Sequence, residues 1–134
     1  MNVLFIGGSG IISSACAALA VERGIDLTLL NRGRTDFRPV PAAAEVIHAD
    51  VRDPAAAAEA LRGRTFDAVV DWIAFTTDHI ATDLELFRGR VGQFIFISSA
   101  SAYQKPPAQL PITEETPLDN PFWQYSRNKI ACEE

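Results

Sequence analysis

Tyr125-Ser126-Arg127-Asn128-Lys129 is the stretch of this 134-residue chain with the clearest capacity for chemistry. Tyr125 and Lys129 are four positions apart, which on a helix puts both side chains on one face. A phenol with its ordinary pKa of about 10 is a poor acid or base at neutral pH. An ammonium one helical turn away favours the phenolate and lowers that value, so the pair can exchange a proton with a carbinol. Both residues are common on helix surfaces, and their spacing alone carries little weight. Two other stretches strengthen it: Gly7-Gly8-Ser9-Gly10 follows the first apolar run, and Ser98-Ser99-Ala100-Ser101 ends the last one. The Ser99 hydroxyl can hydrogen-bond a substrate carbonyl or alkoxide beside the phenol. Ser98 and Ser101 read as strand-end caps.

The glycine-rich stretch suits a dinucleotide. Gly7 and Gly10 let the backbone turn tightly and approach a pyrophosphate, and the N-terminus of a following helix offers unpaired N–H groups and partial positive charge. Ser13 stands where a small residue is needed for helix–strand packing. The polar loop after the second apolar run would meet the adenosine ribose. There the chain carries Asn31, Arg32 and Arg34 in place of an acidic residue. Arginine suits a 2′-phosphate, so this loop favours NADP over NAD. Asp50 and Val51 lie after the third run, where they could line an adenine pocket; Asp50 could equally be a turn residue. Asp71 reads as a buried, hydrogen-bonded carboxylate of open role.

The elements that must position these residues alternate. Val3–Ile6 is a continuous apolar run, as a strand buried on both faces requires. A helix is predicted from Ile11 to Arg23, with Ile11, Ile12, Ala15, Cys16, Leu19 and Ala20 recurring at helical spacing and Gly24 as its stop. Strands follow at Ile25–Leu30, Glu45–Ala49, Ala68–Ile73 and Gln93–Ile97, with a loop from Phe37 to Ala44. Asp53 is a good N-cap and Pro54 a good first residue for a helix running through Leu61. A third helix spans Thr77–Phe87, with Ile80, Leu84 and Phe87 on one side. A proline-rich loop from Ala102 to Asn120 leads to the helix of Tyr125 and Lys129. Strands alternating with helices predict an α/β fold, a doubly wound, Rossmann-like parallel sheet in the order 3-2-1-4-5. All the notable polar residues then fall just after strands, where such sheets bind ligands.

Composition narrows the classes further. The chain is 48% hydrophobic and 22% charged, with a net charge of −5. A mildly acidic chain has no general attraction to nucleic acid or anionic membranes. No basic segment precedes the first apolar run, and no run approaches the length of a membrane span, which predicts a cytoplasmic protein. Cys16 and Cys132 read as small hydrophobes in a reducing compartment. Cys16, Cys132, His48 and His79 have no metal-ligand spacing.

Taken together, these residues resemble the extended short-chain dehydrogenase/reductase family, the NAD(P)-dependent epimerase/dehydratases. Gly7-Gly8-Ser9-Gly10-Ile11-Ile12-Ser13 is similar to that family's Gly-x-x-Gly-x-x-Gly, with Ser13 for the third glycine. Asp50-Val51-Arg52-Asp53 matches its strand-3 motif, Ser98–Tyr103 its serine motif, and Tyr125 with Lys129 its Tyr-x-x-x-Lys pair. The resemblance implies roles. Tyr125 would be the acid/base. Lys129 would bind the nicotinamide ribose and lower the tyrosine pKa, and Ser99 would orient the substrate oxygen. Gly7, Gly10, Ile11, Ile12, Asn31, Arg32, Asp50 and Val51 would hold the NADP or NAD. It also implies a small-molecule substrate such as a nucleotide sugar, and a homodimer through the helices after strands 4 and 5. Ile80, Leu84 and Phe87 would serve either the sheet or that interface. The strand-4 end, Asp71-Trp72-Ile73-Ala74-Phe75, departs from the family's usual His-Leu-Ala-Ala. With Asn31-Arg32-Gly33 and Trp123-Gln124-Tyr125-Ser126 it points to an atypical subgroup similar to chloroplast stem-loop RNA-binding proteins. A non-catalytic protein that holds nucleotide or RNA is therefore the competing reading. Family members run to about 300 residues, beyond one small domain. The chain is accordingly read as the NAD(P)-binding, amino-terminal part of a longer protein, without its substrate domain. A short protein whose apolar fifth strand is covered by a partner is the alternative.

Overall fold

Val3, Leu4, Phe5 and Ile6 are all buried, and alternate members face opposite sides of a sheet, as the two-residue period of a strand requires. Leu4 and Ile6 join one core with Leu30, Val51, Leu61, Phe66, Val69 and Phe87. Val3 and Phe5 join the other with Ala17, Ala20, Leu27, Leu29 and Val70. The computed structural model describes residues 1–34 and 38–134; Phe37, where the expected loop begins, lies outside them. Its elements are β1 (Asn2–Ile6), α1 (Ile11–Glu22), β2 (Asp26–Asn31), β3 (Glu45–His48), α2 (Pro54–Ala60), β4 (Phe66–Asp71), α3 (Thr77–Phe87), β5 (Val91–Phe96) and α4 (Gln124–Glu133). All strand pairs are parallel, in the order β3-β2-β1-β4-β5, which is the doubly wound sheet expected. No helix among the described residues is long and apolar enough to cross a membrane.

The chain forms two compact units. Residues 1–73 and 81–97 make the first, and residues 74–80 and 98–134 the second. The sheet belongs to the first. The second contains α4 and the loop leading to it, which pairs Tyr103 with Leu118 in a short antiparallel bridge.

Two helices differ from the sequence expectation. In α1 the side turned inward is Ser13, Ala17 and Ala20, while Ile11 is 75% and Ile12 66% exposed. The helix lies too close to the sheet for large side chains. A Cβ added at Gly8, just before it, would sit 2.8 Å from Leu29 Cδ2. In α3 the expected stripe divides: Phe87 is in the core, but Leu84 is exposed and Asp83 is fully buried in its place. Arg52 is the reason. Its guanidinium grips Asp83 with two hydrogen bonds of 3.2 and 2.8 Å, and one of its nitrogens lies 3.7 Å from Asp71. Asp71 in turn accepts the Ile73 N–H at 2.8 Å, which ends β4 two residues earlier than predicted.

Two carboxylates against one guanidinium leave an excess negative charge in the interior. Burial, then hydrogen bonding to and repulsion from Asp71, push the Asp83 carboxyl up to about 8; Arg52 pulls the other way. The folded state thus holds a proton that the unfolded chain, with this carboxyl near 3.8, has released by neutral pH. Stability from this site is therefore full below the unfolded value and declines as pH rises towards 8. Asp83→Asn, which keeps a neutral hydrogen-bonding group, should remove that decline. Urea midpoints of the variant relative to wild type should rise steadily between about pH 5 and about pH 8. A constant difference would show that Asp83 does not titrate in this range.

Candidate functional site

The first unit carries the glycine-rich turn and the polar strand ends. Gly7 continues β1, its N–H donating to Leu30 O at 3.0 Å, and turns out of the sheet at φ +79°. A Cβ there would lie 2.8 Å from Ile73 Cγ2. The Gly10 N–H donates to Ser13 Oγ at 2.9 Å, so the serine in place of the third glycine is both packed and hydrogen-bonded. No side chain caps the N-terminus of α1. Its first N–H groups, at Ile11 and Ile12, lie on an exposed helix start behind a backbone stripped of side chains. That arrangement fits a pyrophosphate.

At the ends of β2 and β3 the backbone continues the ladder, with Ala49 N–H donating to Asn31 O at 3.1 Å. Asn31 is half-buried, and Arg32 projects outward, 3.9 Å from Asp50 in a loose ion pair. Asp50 also accepts the Arg52 N–H at 3.0 Å, so it is a turn residue as well as a strand-end carboxylate. The Val51 side chain is buried in the core at 2% exposure, which leaves its backbone to face a ligand.

The second unit carries the three residues read as catalytic. Lys129 is 1% exposed; its Nζ donates to Ala74 O at 2.7 Å and sits 5.0 Å from the Phe75 ring centre and 5.7 Å from that of Tyr125. Tyr125 is half-buried, flanked by Trp123 at 4.8 Å and Phe75 at 6.3 Å between ring centres. The four-residue spacing thus does bring the ammonium to the phenol ring. Ser99 is the N-cap of a 3₁₀ turn, Ala100–Ala102, and accepts the Ser101 N–H at 3.2 Å. Capping therefore falls to Ser99. Ser101, expected to be a cap, is instead hydrogen-bonded by its hydroxyl to Ser99 and Ser126. Ser98 bonds Glu133.

Sequence reasoning missed Asp83, Asn120 and Ser126. Asp83 had a signal: an acidic residue between Ile80 and Phe87 on the apolar side of a helix needs a buried partner. Asn120, at 7% exposure, and Ser126, fully buried, had none beyond their nearness to Tyr125.

A family model described as NAD(P)H-binding matches residues 7–134. Among curated proteins, the chain is 30% identical to a UDP-glucose 4-epimerase of Corynebacterium glutamicum over 99% of its own length and 45% of the relative's. Among solved structures, it superposes with TM-score 0.83 and 26% identity on the UDP-glucose 4-epimerase of Brucella ovis in complex with NAD, covering 98% of this chain and 45% of that one. The epimerase of Bifidobacterium longum, in complex with NAD+ and UDP, gives 0.83 at 23% identity, with 99% and 47% covered, a likeness of fold. The chain thus spans about half the length of the curated relatives it matches.

The Gly7 geometry can be tested against a matched glycine. Gly24 has nearly the same φ, +74°, but nothing within 4 Å of an added Cβ. Gly24→Ala should cost about 1 kcal/mol for backbone strain, and Gly7→Ala about 1–3 kcal/mol more for the contact with Ile73. Urea titrations of the two variants measure the difference, and equal losses would mean that Ile73 moves aside freely.

Proposed function

We propose that this chain, which belongs to the NAD(P)H-binding family, is the cofactor-holding and acid/base part of a nucleotide-sugar epimerase of the extended short-chain dehydrogenase/reductase type. The observation that carries the reading is the buried Lys129 ammonium beside the half-buried Tyr125 ring in the second unit. A charge is costly to bury, so one held beside a solvent-reachable phenol points to a functional site.

The residues of the first unit suit the adenosine end of the dinucleotide. Gly7, Gly10 and the N–H groups of Ile11 and Ile12 would cradle the pyrophosphate. Asn31 and Arg32 would meet the adenosine ribose, with Asp50 and the Val51 backbone at the adenine. When bound, the nicotinamide supplies a reversible hydride acceptor. Tyr125 would take the proton of the sugar hydroxyl as its carbon is oxidised and return it on reduction. Lys129 would hold the nicotinamide ribose and stabilise the phenolate. Ser99 would hydrogen-bond the same sugar oxygen.

Arg32 also underlies our preference for NADP. A guanidinium against a phosphate is a charge-assisted pair, whereas against a ribose hydroxyl it is an ordinary hydrogen bond. Arg32→Asp should therefore weaken NADP by at least about tenfold and NAD by no more than about threefold in calorimetry. Equal losses would remove Arg32 from the 2′-phosphate.

The proton role is tested on the full-length protein with UDP-galactose. Tyr125→Phe should lower turnover by at least about a hundredfold and leave dinucleotide affinity nearly unchanged, because it removes a group needed only in the transition state. Lys129→Ala should lower both together. Near-wild-type turnover by Tyr125→Phe would make the pair structural.

A further inference from the structure

We propose that Asn120, Ser126 and Ser101 are positioning residues that lock the Ser99 hydroxyl into the role of hydrogen-bond donor, with its proton directed to a substrate oxygen. The inference deepens the functional reading above and rests on it for the identity of that oxygen. The donor chain starts from hydrogen-bond geometry within the second unit.

The direction is set at Asn120. Its Oδ1 accepts the Phe122 N–H at 3.2 Å, so the oxygen and nitrogen of this amide cannot be exchanged. Its Nδ2 then has two protons and two acceptors: Ser101 O at 2.7 Å and Ser126 Oγ at 3.3 Å. A carbonyl oxygen can only accept, which fixes the amide a second time. Ser126 Oγ therefore receives a proton, and passing its own onward leaves no buried proton without a partner. It donates to Ser101 Oγ at 3.0 Å.

Ser101 is now in the same position. Its oxygen has accepted from Ser126, and the hydroxyl oxygens of Ser101 and Ser99 lie 2.9 Å apart. That last contact by itself could run either way, since both partners are hydroxyls. Continued in the direction the amide starts, it has Ser101 donate to Ser99, and each bond polarises the next. Ser99 Oγ also accepts the Ser101 N–H at 3.2 Å. A hydroxyl oxygen has two acceptor positions and one proton. In that direction both acceptor positions of Ser99 are filled from its own side, and only its proton remains. Among the described residues that proton has no acceptor in the chain.

The chemical consequence is specific. A hydroxyl so arranged cannot accept a proton from a substrate or from a neighbouring phenol without breaking this chain. It can stabilise negative charge on an oxygen, and successive hydrogen bonds polarise one another in the direction of that charge. Asn120 and Ser126 are buried, which keeps water from the start of the chain, whereas Ser101 and Ser99 at its end are half-buried.

Neutron diffraction from the deuterated full-length protein reads the chain directly. Deuterons on Ser126 Oγ facing Ser101 and on Ser101 Oγ facing Ser99 are expected; a Ser99 deuteron facing Ser101 would overturn the proposal. The functional arm uses Ser126→Ala, a smaller residue with better helix propensity that should fold, and Asn120→Asp, which puts an acceptor where the chain begins. With UDP-galactose as substrate, both should lower kcat by about tenfold or more, with KM and NAD affinity nearly unchanged. Ser126→Thr, which keeps the hydroxyl, should restore much of the loss. Wild-type kcat in Ser126→Ala would remove the positioning role. If the unmutated protein does not turn over a UDP-sugar, the functional reading falls, while the deuteron positions still decide the donor chain.

Discussion

The rest of this structure depends on how closely α1 approaches the sheet. Gly8 leaves no room for a Cβ beside Leu29, and Ser13, Ala17 and Ala20 present only small side chains inward. A larger residue at any of them would push the helix outward, because an interior packed at crystal density cannot absorb even a methylene without displacement. The close approach has a second effect. It aims the first turn of α1 from the end of β1, the central strand of the five. The N–H groups there are held by the most deeply buried part of the sheet, which is what a rigid anion cradle requires.

A buried ion cluster is the corresponding device on the other side of the sheet. Arg52 comes from the turn after β3, Asp71 from the end of β4 and Asp83 from α3. An apolar triad of the same volume would often be as stable or more so. Two features here are beyond an apolar group. The bidentate grip of Arg52 on Asp83 fixes the rotation of α3 about its axis, and the Asp71 carboxylate takes the Ile73 N–H to turn the chain out of β4. The cluster thus defines geometry at two strand ends, and the raised Asp83 carboxyl is the energetic trace of that choice.

The fold was largely legible in the sequence because parallel strands buried on both faces read as unbroken apolar runs such as Val3–Ile6, and because caps such as Asp53-Pro54 mark helix starts. The strand order followed from alternation alone. What failed was the assignment of inward faces. In α1 the large apolar residues Ile11, Ile12 and Leu19 suggested the buried side, whereas the tight contact selects for smallness. In α3 an aspartate took a core position that only its distant partner, Arg52, explains. At the candidate site, Tyr125 and Lys129 were legible because their spacing is local. The Asn120–Ser126–Ser101–Ser99 chain was not. It joins residues on two sides of a proline-rich loop, and its starting donor depends on which way one amide faces.

That chain and the Tyr125–Lys129 pair divide the proton chemistry of the proposed reaction. Oxidising a carbinol and reducing the resulting carbonyl requires one group that gains and loses a proton with little cost. It also requires one that keeps its proton throughout while the oxygen beside it carries charge. If a single hydroxyl served both purposes, stabilising the oxyanion would compete with accepting its proton. Here the phenol ring adjoins the Lys129 side chain and is half-exposed. In the proposed direction the serine has its lone pairs occupied from within and donates its proton outward. In the proposed reaction the mobile proton and the fixed proton would thus fall to different residues, although both side chains carry the same functional group, a hydroxyl.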